Sequence, residues 1–395
     1  MAIRYINELP IENKRVFIRA DFNVPIKDGA VKDDTRIRSA LPTIEYALSK
    51  NARIILASHL GRPKGDGFEE KYSLAPVADR LSEIFPDKKI IFPENCIGNA
   101  VKKLSKELEP GNIMLLENLR FHADEEKNTE GFAKELASLA DVYINDAFGA
   151  AHRAHASTAG MAKFITVKGA GFLMKKEAES LGKILNSPER PFIAILGGAK
   201  VSDKIAVIEN LLGLVNTLII GGGMAFTFLK AAGFEIGRSL FEEEKLYMAN
   251  KVLERAVIKG VPILLPVDHV VAGEISDAAP IKTTTNANVP DGMMGLDIGP
   301  ETVIKFSEVI KTAKTIFWNG PLGVFEIDNF SRGTIKIAEA VANTKAMSVV
   351  GGGDSIAAVN KAGIADKISH MSTGGGASLE FMEGRKLPGL TALEG

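Results

Sequence analysis

The chain has 395 residues, 46% of them hydrophobic and 25% charged, with 48 basic against 49 acidic side chains. At ~100–200 residues per domain this is enough for two to three domains, and it excludes a disordered tail, a fibre and a disulfide-stapled miniprotein. A net charge of −1 argues against a dedicated nucleic-acid binder. One cysteine, Cys96, permits neither an internal disulfide nor a cysteine zinc cage. It reads as a bland buried thiol in a reducing compartment. The first ten residues lack a signal-peptide core, and no run reaches ~18 apolar residues. Cytoplasmic placement with no membrane partner is expected.

Apolar runs in chain order are Arg15–Ala20, Arg53–Ser58, Asn112–Glu117 and Asp141–Asn145, then Phe192–Leu196, Thr217–Ile220, Pro262–Pro266, Thr315–Trp318, Met347–Val350 and Lys367–Ser372. Each precedes a turn and an amphipathic segment. Nearly continuous apolar runs of this length predict parallel strands covered on both faces. The fold class is therefore α/β, with two doubly wound, Rossmann-like lobes. Phe172–Leu185 predicts a helix with Leu181, Ile184 and Leu185 on one stripe, broken by the proline-bearing segment 186–191. It is the expected hinge element. The expected domains are 1–168, a linking helix and hinge over 169–190, and 191–380. The apolar Leu387, Leu390 and Leu393 suggest that the 381–395 tail docks back on the first lobe.

Glycine is the surplus residue, 38 in all, against about 7% on average. The doubled and tripled glycines fall after strands of the second half, at Gly197-Gly198, Gly221–Gly223, Gly351–Gly353 and Gly374–Gly376. Glycine turns at helix starts expose backbone N–H groups to an anion. One such loop is explained by a tight βα turn; four in one lobe favour nucleotide binding. Neither G-x-x-x-x-G-K-[ST] nor a strand-borne G-x-G-x-x-G is present, and the protein-kinase set is missing. Lys200 and Lys204 are expected to open a helix beside the 197–198 turn. The helix dipole disfavours cations there unless a polyphosphate is bound. Asp354 reads either as a helix cap or as a magnesium contact. Glu326, after the only Trp (Trp318), is a surface acid or a ribose partner.

In the first half, cations follow the strands instead. Arg36, Arg38, His59, Arg62, Arg120, His122, His152, Arg153 and His155 can converge on a small anion, since guanidinium forks suit phosphate and carboxylate alike. His152 and His155 have metal-like spacing but no further ligands beside them. Two other readings remain at this point. One is a small-molecule kinase acting on a hydroxyl through a positioned base. The other is a two-lobed binding protein closing on an anionic metabolite.

The segments Arg15-Val-Phe-Ile-Arg-Ala-Asp-Phe-Asn-Val-Pro25, His59-Leu-Gly-Arg-Pro63, Asn145-Asp-Ala-Phe-Gly149, His152-Arg-Ala-His155, Gly197-Gly-Ala-Lys-Val-Ser-Asp-Lys204, Trp318-Asn-Gly-Pro321 and Gly374-Gly-Gly-Ala-Ser-Leu-Glu380 stand in one order over nearly the whole chain. With them the sequence closely resembles the phosphoglycerate kinase family. Ala150 departs from the pattern, where many relatives carry Thr. The resemblance implies reversible phosphoryl transfer from 1,3-bisphosphoglycerate to MgADP, giving 3-phosphoglycerate and ATP, by a glycolytic monomer that uses Mg2+ and small molecules only. It implies that Asp21, Phe22, Asn23, Arg36, His59, Leu60, Gly61, Arg62, Arg120 and Arg153 hold the phosphoglycerate. It implies that Lys200, Lys204, Gly221, Gly222, Gly295, Leu296, Asn319, Pro321, Glu326, Gly353, Asp354, Ser355 and Ile356 hold the nucleotide. Asp354 faces the metal, and Arg36, Lys200, Lys204, Gly353 and Gly375 serve the transfer itself.

Overall fold

The computed structural model describes residues 3–394. Its chain divides into two compact units, Met1–Glu179 with Lys386–Gly395 and Ser180–Arg385. The division falls within the helix Phe172–Asn186.

The first unit is built on a six-stranded parallel sheet. Its strands are β1 (Arg15–Arg19), β2 (Arg53–Ala57), β3 (Ile90–Ile91), β4 (Ile113–Leu115), β5 (Val142–Asn145) and β6 (Val167–Ala170), in spatial order β3-β4-β2-β1-β5-β6. Central strands such as β4 and β5 are buried at every position, as a sheet covered on both faces requires. Val16, Ile18, Ile54, Leu56 and Ile144 pack with Ile37, Ile44, Val77 and Leu81 of flanking helices. β3 is too short to stand out in the sequence. β6 carries Lys168 and Gly169, whose Cβ position lies 2.4 Å from the Arg4 carbonyl oxygen, so the glycine admits a neighbouring backbone.

The second unit repeats the theme with β7 (Phe192–Leu196), β8 (Thr217–Ile220), β9 (Ile263–Leu264), β13 (Thr315–Asn319), β14 (Met347–Gly351) and β15 (His370–Ser372), ordered β9-β8-β7-β13-β14-β15. The order reverses between β7 and β13, the switch point where open α/β sheets bind ligands. A small antiparallel sheet of β10 (His269–Ala272), β11 (Lys282–Thr283) and β12 (Met294–Ile298) was not expected from the sequence. Its strands are short and lie among Gly-, Asn- and Asp-rich turns. The expected strand over Lys367–Ser372 is shorter in the structure, because Ala365–Lys367 forms a 3-10 turn. Likewise only Ile263–Leu264 of Pro262–Pro266 pairs.

The tail lies against the first unit. Leu387 and Leu393 are buried, Gly389 N–H donates to the Ala151 carbonyl at 2.8 Å, and Asn145 Nδ2 donates to the Gly389 carbonyl at 3.3 Å. The Phe172–Asn186 helix starts on groups of the first sheet and its covering helix. Phe172 N–H donates to Thr43 Oγ1 at 2.8 Å, and Met174 N–H donates to Asp146 Oδ1 at 3.0 Å. The Gly171 Cβ position lies 2.2 Å from the Asp146 carboxyl, so no side chain fits there.

Burial pushes the Asp146 carboxyl up to about 6. The folded chain then binds one proton more than the unfolded chain from about pH 4 to pH 6, so this group's contribution to stability falls as pH rises through that window. Asp146→Asn keeps an acceptor for the helix start and should flatten that segment of the profile. Urea midpoints of both proteins from pH 4 to 7 check this, and parallel profiles would contradict it.

Candidate active site

At the carboxyl ends of β1, β2 and β4, side-chain amides and carboxylates tie three loops together. Asp21 Oδ2 accepts from Arg36 Nη1 at 2.7 Å and its Oδ1 accepts from Asn23 N–H at 3.2 Å. Asn23 Oδ1 accepts from Gly61 N–H at 2.8 Å, and the Gly61 carbonyl accepts from Arg120 Nη1 at 2.8 Å. Gly61 has φ +61°, and its Cβ position lies 2.4 Å from the Tyr72 ring. Both the conformation and the close approach demand glycine. Asn118 holds the same turn. Its Oδ1 accepts from Leu60 and Arg120 N–H, and its Nδ2 donates to the Leu60 and Tyr72 carbonyls.

Arg62, Arg120 and Arg153 meet in a cleft of about 340 Å³ beside His155 and Glu126. Arg120 pairs with Glu126 at 3.0 Å. Arg62 and Arg153 have no carboxylate partner among the described residues. His59 is buried at one side, 3.1 Å from Arg19 Nη2 through its Nδ1. Burial, then the charges of Arg19, Arg120, Arg153 and Arg36, hold the His59 pKa well below its usual value. Burial and the same neighbours Arg120, Arg19 and Arg153 bring His155 down to about 3. Both imidazoles are therefore neutral at pH 7, His155 in the cleft wall and His59 buried among the same arginines. This is a site for an anion.

Of the expected substrate residues, Phe22 and Leu60 have side chains in the core. They offer a ligand only backbone. Two residues of the wider basic set lie elsewhere. Arg38 pairs with Asp34 on an exposed helix face, and His122 bonds Asn95 and stacks near Phe132. Among the described residues no group of three His, Cys, Asp or Glu side chains is placed to hold a metal ion.

In the second unit a cavity of about 290 Å³ opens at the β7/β13 switch point. Gly222, Gly295, Leu296, Pro321, Glu326 and Asp354 line it, together with Phe226, Leu240, Met294 and Val324. Close packing explains its glycines. The Cβ position of Gly295 lies 2.2 Å from the Phe226 ring, that of Gly222 2.7 Å from Gly198 N, and that of Gly221 2.5 Å from Leu322. Gly221 thus packs behind the cavity rather than lining it.

Beside the cavity, Lys204 Nζ donates to Asn319 Oδ1, Asn319 Nδ2 donates to the Gly351 carbonyl at 2.8 Å, and Gly320 N–H donates to Ser355 Oγ at 2.6 Å. The lysine pair does not open a helix, contrary to expectation. The helix begins at Ile205, Lys204 is its N-cap residue, and exposed Lys200 sits in the preceding turn. Glu242 pins that turn by accepting from Ser202 N–H at 2.9 Å and Ser202 Oγ at 2.6 Å. Burial lowers the Lys204 pKa, while Asp203 and Asp354 raise it.

Asp354 is not the helix cap either. Gly352, at φ +92°, precedes the helix Gly353–Lys361, which leaves Asp354 exposed in its first turn. Gly375 likewise precedes the helix Gly376–Met382. Ser355 is fully buried and Ile356 packs on the core, so neither offers a ligand its side chain, and Ile356 N–H already donates to the Gly352 carbonyl at 3.1 Å.

The phosphoglycerate kinase profile matches residues 6–385. A phosphoglycerate kinase of Anaeromyxobacter dehalogenans (strain 2CP-C) is 58% identical over 396 residues, covering all of both chains. That of Clostridium novyi (strain NT) is 53% identical over 98% of each. The solved structure of phosphoglycerate kinase from Coxiella burnetii superposes with a TM-score of 0.91 at 44% identity, covering 99% of each chain. The chain belongs to the phosphoglycerate kinase family. It is a transferase of glycolysis, a kinase whose phosphoryl acceptor is a carboxyl group. The structure of the Pyrococcus horikoshii OT3 phosphoglycerate kinase also matches, with a TM-score of 0.85 at 35% identity over 99% of this chain and 98% of that one.

Several residues that build the arginine cleft and the second unit's cavity carry no clear signal in the sequence. Arg19 is legible only as a charge ending an apolar strand. Asn118, Glu125, Ser157 and Glu242 act through bonds to loops distant in sequence. Phe226 and Leu240 look like ordinary core residues.

Nuclear magnetic resonance titration of the free protein should show His155 neutral down through pH 5 and His59 titrating well below the usual imidazole value. An anion bound among the same arginines should raise both pKa values, because it offsets the charges that depress them. Titration of either ring near 6.5 in the free protein would contradict the electrostatics described here.

Proposed function

We propose that the arginine cleft of the first unit binds 3-phosphoglycerate or 1,3-bisphosphoglycerate and that the glycine-walled cavity of the second binds ADP or ATP. The observation that carries the reading is the pair Arg62 and Arg153. Two guanidinium groups converge beside neutral imidazoles with no carboxylate partner among the described residues. A doubly charged phosphate with a carboxylate or acyl phosphate completes that cleft. Asp21 and Asn23 offer acceptors to the substrate hydroxyl, and Asp21 also aligns Arg36.

In the cavity, Gly222, Gly295, Leu296 and Val324 form a flat apolar seat for the base. Glu326 reaches the ribose hydroxyls. The phosphates lie toward Lys204, Lys200, Asn319 and the N–H groups of Gly353, Asp354 and Ser355 in the first turn of the helix Gly353–Lys361. Asp354 fits a magnesium contact. It is exposed at the cavity wall and accepts no hydrogen bond among the described residues, and magnesium takes one or two carboxylates plus substrate phosphates. The ion that accompanies the nucleotide offsets phosphate charge.

An acyl phosphate is already activated and a carboxylate is already a nucleophile, so the transfer requires no general base. Catalysis is positioning and charge neutralisation of an in-line transfer. Arg36, Lys200 and Lys204 clamp the transferring group, and backbone N–H groups at Gly353 and Gly375 add donors. The ligands bind different units, so hinge closure through the Phe172–Asn186 helix and other connections brings them together when both are bound. The enzyme acts as a cytoplasmic monomer on small molecules, with no nucleic-acid or membrane partner.

A coupled assay with 3-phosphoglycerate and MgATP should release ADP. Pure folded protein without that activity would overturn the reading. Arg36→Ala should slow turnover by about 10²–10³, for a transition-state contribution of ~3–4 kcal/mol. Near-full kcat would remove Arg36 from catalysis. Solution scattering should show a smaller radius of gyration only with both ligands present, and an unchanged value would defeat closure.

A further inference from the structure

Beside the arginine cleft lies a buried chain of polar groups, none of which is among the residues that line it. Glu125, fully buried, accepts from Ser157 N–H at 2.9 Å and from Ser157 Oγ at 2.5 Å. Having donated its proton to Glu125, Ser157 Oγ accepts from Arg19 Nε at 2.8 Å. Arg19, also buried, donates through Nη1 to the Ala20 carbonyl and places Nη2 3.1 Å from His59 Nδ1.

A guanidinium has donors only and keeps its proton in proteins. His59 Nδ1 must therefore be the acceptor. The ring is neutral, because burial and four arginines disfavour its charged form. Its single proton then sits on Nε2, and no described residue bonds that nitrogen. Burial raises the Glu125 pKa, whereas Arg19 and the Ser157 bonds pull it back. His155 Nδ1 lies 3.9 Å from the same carboxyl and is itself held neutral.

We infer that Glu125 and Ser157 are positioning residues that act through Arg19 to fix the tautomer of His59, so that its Nε2–H donates to an anionic oxygen of the bound phosphoglycerate. The opposite tautomer would aim a lone pair at that oxygen. The inference rests on the substrate reading above, but the proton's place on His59 is measurable without substrate.

Two measurements test it on the full-length protein. With 15N-labelled histidine, the ligand-free protein at pH 7 should show His59 protonated at Nε2 and bare at Nδ1. A proton on Nδ1, or an even mixture, would overturn the inference whatever the substrate is. Ser157→Ala removes the acceptor of Arg19 Nε. It should bring a second His59 tautomer into the spectrum and raise KM for 3-phosphoglycerate about tenfold, with KM for MgATP unchanged. An unchanged His59 spectrum in Ser157→Ala would show that Ser157 and Glu125 serve packing alone. If the variant fails to fold, the tautomer in the unsubstituted protein still decides. A tautomer as expected in a protein inactive toward 3-phosphoglycerate would leave the relay standing and remove the substrate assigned to it.

Discussion

Gathering Arg19, Arg36, Arg62, Arg120 and Arg153 around one buried and one half-buried imidazole is electrostatically unfavourable, and much of the first unit's polar architecture offsets it. Asp21 takes Arg36, Glu126 takes Arg120, and the buried Glu125 reaches Arg19 through Ser157. The imidazoles yield by staying neutral. Arg62 and Arg153 have no carboxylate partner among the described residues, so an anion between them would supply the missing charge. Such sites are assembled at the ends of parallel strands because the sheet itself is apolar on both faces, so polar work is confined to the loops.

The second unit solves a different problem with backbone instead of side-chain charge. Its switch point is crowded by β7, β13 and their turns. Glycine at 197, 221 and 222 permits that crowding, since any Cβ there would overlap Pro321, Leu322 or Gly198. The same choice leaves a smooth cavity and frees N–H groups at the start of the Gly353–Lys361 helix. Lys204, half-buried and bonded to Asn319, adds a cation whose burial is unfavourable unless an anion lies against it.

Legibility in the sequence follows the physics of each part. Central strands such as Phe192–Leu196 and Thr217–Ile220 were readable to the residue, because burial on both faces leaves unbroken apolar runs. The antiparallel sheet around His269–Ala272 was not, since short strands between polar turns carry little periodic signal. Arginines after strand ends were legible as a set able to converge, and Arg62, Arg120 and Arg153 do meet in one cleft. Spacing could not tell that Phe22, Leu60, Ser355 and Ile356 turn inward, because a loop residue's direction depends on tertiary packing. Nor could it place Lys204 before its helix rather than in it, a matter of one turn. The chain Glu125–Ser157–Arg19–His59 spans two short helical segments, a strand end and a loop. It exists only in the folded molecule.

The central claim is a division of labour, with acid binding charged to the arginine cleft and nucleotide binding to the glycine-walled cavity. Calorimetric titration of Arg153→Ala with each ligand separately tests it most directly. The account predicts that affinity for 3-phosphoglycerate falls at least about tenfold, as loss of one charge-assisted pair requires, while affinity for MgADP is unchanged. Undiminished binding of 3-phosphoglycerate, or an equal loss for both ligands, would contradict it.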